Sequence, residues 1–322
     1  MERCELFLTV SVLSCLSHGW EVQVPESVKA VKGSCVMISC HTSSHSHVNW
    51  FKYKGVGYPV VYSRNTAGII AEFRGRTSVP GSPSQGDCSL KINNVRQEDN
   101  GISLYPWIYP ETSSNQYKYI LINVLNPEVS ISVENTQTDG KLFSANCTVQ
   151  YSCPSSPPPL EWMGLSYISN NVTSTVVSGG LWTLVARAQF RANRLDHNRT
   201  LSCNSTFNGK SIYSTTVMLN ILFPPSILMN STCFVSAGGV QCVCRAEAEP
   251  QANIFWMVDG SSAVHPHFNT TTTYAGRIAV SELTGPPASN VSCKASNVVG
   301  TDTYQMPILH PLSEGSAFLN GV

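Results

Sequence analysis

The chain has 322 residues, 20 Lys+Arg against 20 Asp+Glu, 12 cysteines and a mean hydropathy of −0.03. Balanced charge gives no global field for nucleic acid, an anionic bilayer or an acidic substrate, so nucleic acid is not expected as a partner. The length suits two or three units of about 100 residues, and we expect three.

Residues 1–19 read as a secretory signal: Arg3 in a short polar start, an apolar run from Leu6 to Leu16, and small Ser17 and Gly19 before a cut at Trp20. Of the 12 cysteines, Cys4 and Cys15 leave with it; ten remain, an even number that predicts a disulfide framework in an exported chain. Sequons at Asn171, Asn198, Asn204, Asn230, Asn269 and Asn290 fit the same compartment. Asn146 is discounted because its middle residue, Cys147, lies on an expected buried strand. After the leader no apolar run approaches the roughly 18 residues of a membrane helix. The expectation is therefore an extracellular chain, secreted as written or held at the plasma membrane if it is part of a longer receptor.

Short, turn-punctuated, alternating segments dominate from Trp20 onward, without a 3.6-residue apolar period, and predict all-β structure. In Gly33-Ser-Cys35-Val-Met-Ile-Ser-Cys40 the two half-cystines are an odd number of residues apart and must face opposite ways on a strand. Val36, Ile38 and Cys40 form the inward set, so Cys35 should reach outside its own core, to the next domain. Trp50, Phe73-Arg-Gly-Arg76, the alternation Cys88, Leu90, Ile92 and the corner Asp99-Asn-Gly101 follow in the order of an immunoglobulin variable-type domain. The positions that carry Tyr and Cys after that corner hold Ser103 and Tyr105, leaving Cys88 as the partner of Cys40. Pro106 is expected to interrupt the strand, and Arg76 to pair with Asp99 rather than to bind an anion. His41, His45 and His47 read as a solvated loop: a His-x-His pair lacks a third ligand at metal spacing.

Asn126-Pro127 marks a linker, and the second unit carries Phe143, Ala145, Cys147 and Val149 inward, Trp162, the strand Trp182 to Phe190, and Leu201-Ser-Cys203. Cys147 and Cys203 are its expected core bridge, and the spare Cys153 in a proline-rich loop is the best match for Cys35. Phe223-Pro-Pro225 opens the third unit, with Cys244, Trp256 and Cys293 as core triad and Cys233 next to Cys242; a slip to Cys233–Cys244 is an open alternative. The expected division is 1–19 signal, 20–125 variable-type domain, 126–222 and 223–309 two shorter constant-like domains, and 310–322 tail: three tandem immunoglobulin-like β-sandwiches.

Trp20, Gly33-Ser-Cys35-x4-Cys40, Phe73-Arg-Gly-Arg76, Cys88, Asn115-Gln-Tyr117, Ser152-Cys153-Pro with Leu160-Glu-Trp162-Met-Gly164, and Phe223-Pro-Pro225 together resemble the sialic-acid-binding immunoglobulin-like lectins. The resemblance implies a membrane-anchored adhesion and signalling receptor whose first domain binds sialylated glycoproteins or glycolipids, with Trp20 and the Asn115–Lys118 stretch at the sugar. It also implies a strand-F arginine near Pro106 to Ile108. That arginine is absent: no Arg lies between Arg96 and Arg187. A guanidinium fork makes two charge-assisted bonds to a carboxylate, so its loss removes most of a weak lectin's grip. Two readings follow: a sialoglycan-binding adhesion protein, or a protein-binding or soluble decoy molecule that has lost sialate binding. Candidate ligand-binding residues are Trp20, Trp107, Tyr109, Tyr117 and Lys118. No nucleophile elbow, His-Glu-x-x-His or phosphate loop is present, so no catalytic residue, metal or cofactor is assigned.

Overall fold

The computed structural model describes residues 21–54, 57–110, 118–236, 238–262 and 267–309. The described residues are all-β apart from single 3-10 turns, and the chain divides into two compact units. One contains the chain up to Val133 with Ser144–Gln189 and Leu201–Val217; the other contains Glu134–Phe143, Phe190–Thr200 and the chain from Met218.

In the first unit, β1 (Ser27–Val31), β2 (Val36–Ile38), β3 (His47–Lys52), β4 (Val60–Tyr62), β5 (Thr77–Ser78), β6 (Leu90–Ile92), β7 (Ser103–Tyr109) and β8 (Ile120–Leu125) build the first sandwich. Its sheets run β1-β8-β7-β3-β4 and β2-β6-β5. Strand β1 lies parallel to β8, Ser27 opposite Leu121. Period-two alternation sends Val36, Ile38, Trp50, Leu90, Ile92, Leu104, Ile120 and Ile122 into one core together with Phe73. Cys40 and Cys88 sit just beyond the β2–β6 ladder, whose register pairs Ile38 with Leu90, and are bonded to each other within that small sheet. The Trp50 indole donates to the Cys88 carbonyl at 3.0 Å, which anchors the large sheet to the bridged one.

The corner is closed by charge. Arg76 gives both Nη groups to the Asp99 carboxylate, at 2.9 and 2.8 Å, and further hydrogen bonds to the carbonyls of Glu72 and Asn94. Asp99 also accepts the Arg96 amide at 2.8 Å. Both side chains are buried.

Strand β7 departs from the expected parity. Leu104, Pro106 and Ile108 are buried, and Leu104 and Ile108 belong to the core, whereas Tyr105, Trp107 and Tyr109 alternate onto the opposite face. The inward positions are therefore not Ser103 and Tyr105. Pro106 does not break the strand; it pairs with Trp50 across the β3 ladder. Among the described residues the ladder to β8 pairs Ser103 with Leu121 and Leu104 with Ile120, so the missing N–H of Pro106 falls beyond it.

The second sandwich packs the strands Ser169–Val176, Trp182–Arg191, Leu142–Tyr151 and Val129–Val133 over Leu160–Met163, Thr200–Phe207 and Lys210–Tyr213. Cys147–Cys203 joins the two sheets. Within the same unit the first sandwich is bolted to the second. Cys35 is bonded to Cys153, and Val31 and Cys35 belong to the second core. The Ser152 hydroxyl accepts from the Val31 amide at 2.8 Å and donates to the Cys35 carbonyl at 2.7 Å, while the Lys29 amide donates to the Gly179 carbonyl at 2.8 Å.

In the second unit, a sheet around Gly239–Glu249 faces a sheet of Asn253–Val258, Val291–Ser296, Thr301–Gln305 and Ser261–Ser262. Cys244–Cys293 crosses between them; Cys233 and Cys242 are bonded as direct cross-strand neighbours, which excludes the slipped pairing. Phe223-Pro224-Pro225 lies inside the strand Ile221–Ile227.

Candidate functional site

The outer face of β3, β7 and β8 is built by the residues that flank the core positions. Because Val48 and Trp50 point inward, His47, Asn49 and Phe51 point out; because Leu104, Pro106 and Ile108 point inward, Tyr105, Trp107 and Tyr109 point out. The register then sets His47 opposite Tyr109, Asn49 opposite Trp107 and Phe51 opposite Tyr105. His47 and Tyr109 stack with ring centroids 4.3 Å apart and planes 4° from parallel. Phe51 and Tyr105 stack at 5.5 Å, and Tyr105 meets Tyr119 edge-on at 5.7 Å. Tyr53 lies 4.5 Å from Tyr119, and Tyr58 meets Phe51 edge-on at 6.5 Å. The result is an aromatic cluster in which Tyr105 is buried, 3% exposed, while Tyr53 and Tyr58 stand 54% and 70% exposed at its margin.

Charge enters this face at two points. Lys118 donates to Glu21 at 2.7 Å, so its ammonium is spoken for by a carboxylate. At the His47 end, the exposed guanidinium of Arg64 donates through Nη2 to the Ser46 carbonyl at 2.9 Å. The Ser46 hydroxyl donates to the Tyr109 carbonyl at 2.9 Å. Partial burial holds the His47 imidazole below its ordinary pKa of 6.5, and the nearby Arg64 and His45 charges push it the same way. His47 belongs to β3 and His45 is buried, so these two histidines are not part of a solvated loop.

Of the residues singled out from the sequence, Trp107 and Tyr109 share this face and Lys118 borders it. Trp20 and Tyr117 lie outside the described residues. Where an arginine is expected between Pro106 and Ile108, the one outward position is Trp107, since its two neighbours are buried. Sequence reasoning missed His47, Phe51, Tyr53, Tyr58 and Arg64 as members of this cluster. The signal for the first two was available: residues an odd number of positions from a core Trp on a strand, as His47 and Phe51 are from Trp50, lie on the opposite face.

The sequons divide by burial. Asn171, Asn198, Asn230, Asn269 and Asn290 are exposed. Asn204 is a correction: it is 7% exposed, in the middle of the strand Thr200–Phe207 between its ladders to Leu160–Met163 and Lys210–Tyr213, with Nδ2 turned to the Met163 sulfur at 3.6 Å. A glycan has no room on that amide in this fold.

Residues 23–105 match the model of the immunoglobulin V-set domain. Sialic acid-binding Ig-like lectin 12 of Pan troglodytes is 25% identical over 343 aligned residues, covering 94% of this chain and 55% of that protein. Myelin-associated glycoprotein of Homo sapiens is 24% identical over 305, covering 88% of this chain and 47% of that protein. The chain thus spans about half the length of these curated relatives. Among solved structures, the three-domain ectodomain of mouse nectin-like molecule 4 overlays with a TM-score of 0.42 at 18% identity, covering 91% of this chain and 100% of that one.

Proposed function

We propose that this chain is an immunoglobulin-superfamily protein of the sialic-acid-binding Ig-like lectin type, and that it recognises a protein ligand at a cell surface through the aromatic face of its first sandwich; the V-set match and the similarity to those lectins support this reading. The observation that carries this reading is the half-buried pair Trp107 and Tyr109 over buried Tyr105, which puts an indole where a carboxylate-gripping arginine is expected. Tyr and Trp combine a large apolar body with a polar tip and dominate the energetics of protein interfaces. A rigid sheet that already stacks these rings orders few side chains on binding, which lowers the entropic cost of association.

Trp107→Ala is expected to weaken binding of the secreted chain to ligand-bearing cells at least about tenfold, the equivalent of ~1.4 kcal/mol. Sialidase treatment of those cells should leave binding intact. Loss of binding after sialidase, with Trp107→Ala unaffected, overturns the reading. One observation favours a second reading: Arg64 supplies an exposed guanidinium beside the His47–Tyr109 stack. A sialylated glycan would then sit at that end, and its binding would be lost both on sialidase treatment and on Arg64→Ala.

A further inference from the structure

Two sheet edges in this chain are unusual. Among the described residues, the strand Ser169–Val176 is 8 residues long and ends its sheet, pairing only with Trp182–Arg191. The strand Asn269–Ala275 is 7 residues long and pairs, among the same residues, only with Ile278–Gly285. No Asp, Glu, Lys, Arg or Pro occurs from Leu165 to Leu181, nor from Phe268 to Gly276. The first edge also exposes Tyr167, Ile168, Val172, Val176 and Val177. Long, flat, uncharged edges present unpaired N–H and C=O groups and are templates for pairing with another chain.

The other edges among the described residues carry the usual protections. Those at Val60–Tyr62, Thr77–Ser78, Ser261–Ser262 and Ile308–Leu309 are two or three residues long. Ser27–Val31 contains Lys29, Leu160–Met163 contains Glu161, Lys210–Tyr213 begins with Lys210, Thr301–Gln305 contains Asp302, and Val129–Val133 is flanked by Glu128 and Glu134.

The two unprotected edges are also the only exposed strands, among the described residues, that contain a sequon. Asn171 pairs with exposed Arg187, between buried Ala186 and Ala188; Asn269 pairs with exposed Thr284, next to buried Leu283. Both amides therefore stand on the solvent face of the edge strand. The exposed sequons at Asn198, Asn230 and Asn290 lie between strands instead.

We infer that N-linked glycans on Asn171 and Asn269 guard these two edges, taking the place of the charged side chains that protect the longer edges elsewhere. The modification joins the anomeric carbon of an oligosaccharide, activated as a lipid-linked diphosphate, to the side-chain nitrogen. The diphosphate carrier leaves and one amide proton is released. The bulky, hydrated group then overhangs the edge and excludes a second strand.

The test uses the full chain secreted from glycosylating cells. Intact mass and glycopeptide mapping should find Asn171 and Asn269 occupied. Thr173→Ala and Thr271→Ala together remove both acceptor sequences while keeping each asparagine. This variant should raise the oligomeric fraction, measured by size-exclusion chromatography with light scattering, about tenfold at equal concentration. Asn230→Gln, which removes a glycan from a turn, should leave the protein monomeric. Adding Thr175→Lys and Thr273→Lys, on the same solvent faces, should return the double variant to monomer. Unoccupied sites, a double variant that stays monomeric, oligomers from Asn230→Gln alone, or lysines that fail to reverse association would each overturn the inference.

Discussion

Replacing Arg76 by Leu tests how the first sandwich is closed. The substitution leaves Asp99, only 3% exposed, without its bidentate partner, and strips hydrogen bonds from the Glu72 and Asn94 carbonyls. Removing one member of a buried ion pair costs about 3–5 kcal/mol, because the surviving charge stays desolvated. The Arg96 amide bond to Asp99 is retained and keeps the estimate from rising further. Set against a domain stability of roughly 5–15 kcal/mol, that is a large fraction. The assay is hydrogen exchange read by mass spectrometry on peptides containing β2 and β6, which reports this sandwich without averaging over the others. At ~1.4 kcal/mol per factor of ten, exchange there should accelerate roughly 10²–10⁴-fold while peptides from Asn253–Val258 stay unchanged. Arg76→Met combined with Asp99→Asn should cost less than the two single changes summed, since no lone charge remains. Protection in β2 and β6 within a factor of three of the parent chain would refute the argument.

Three further outcomes follow from the geometry. Ser152→Ala leaves the Val31 amide and Cys35 carbonyl without the hydroxyl that serves both, and should lower stability by about 1–3 kcal/mol in denaturant titration. Gly86 has φ +79° and an added Cβ would lie 1.9 Å from the Thr42 carbonyl oxygen, so Gly86→Ala should open the adjoining loop, seen as lost protection of the Thr42 amide. His47 should titrate below 6.5 by NMR, and Arg64→Ala should move its midpoint upward. Because its folded pKa is depressed, its neutral form contributes stability that is complete above the unfolded pKa and is lost as pH falls from there through the folded pKa.

Much of the scaffold was legible because alternation leaves little choice. Opposite parity of Cys35 and Cys40 separates an inward from an outward half-cystine, and the structure places them in different cores. Arg76 and Asp99 were readable as a pair because each is a charge next to strands too apolar to leave it unpartnered. The β7 face was misread where motif spacing was counted from Gly101: Ile102 and Leu104 pack on the core, so hydrophobic patterning, not the distance from the corner, sets which residues point in. Arg64 and Tyr58 come from other segments and reach the face through tertiary folding, which one strand's pattern does not encode. Asn204 was missed for the same kind of reason. A three-residue acceptor motif carries no information about the Met163 side chain that meets its amide.

The Cys35–Cys153 bond has a mechanical consequence. A ligand that tugs on the first sandwich loads its junction with the second, and the chain between them, Asn126-Pro127-Glu128, is a short connection with no bridge of its own. The disulfide supplies a second covalent path from Cys35, beside β2, directly into the neighbouring core. Tension is thereby shared by two covalent paths instead of one, and the aromatic face of the first sandwich keeps its bearing on the second while under load.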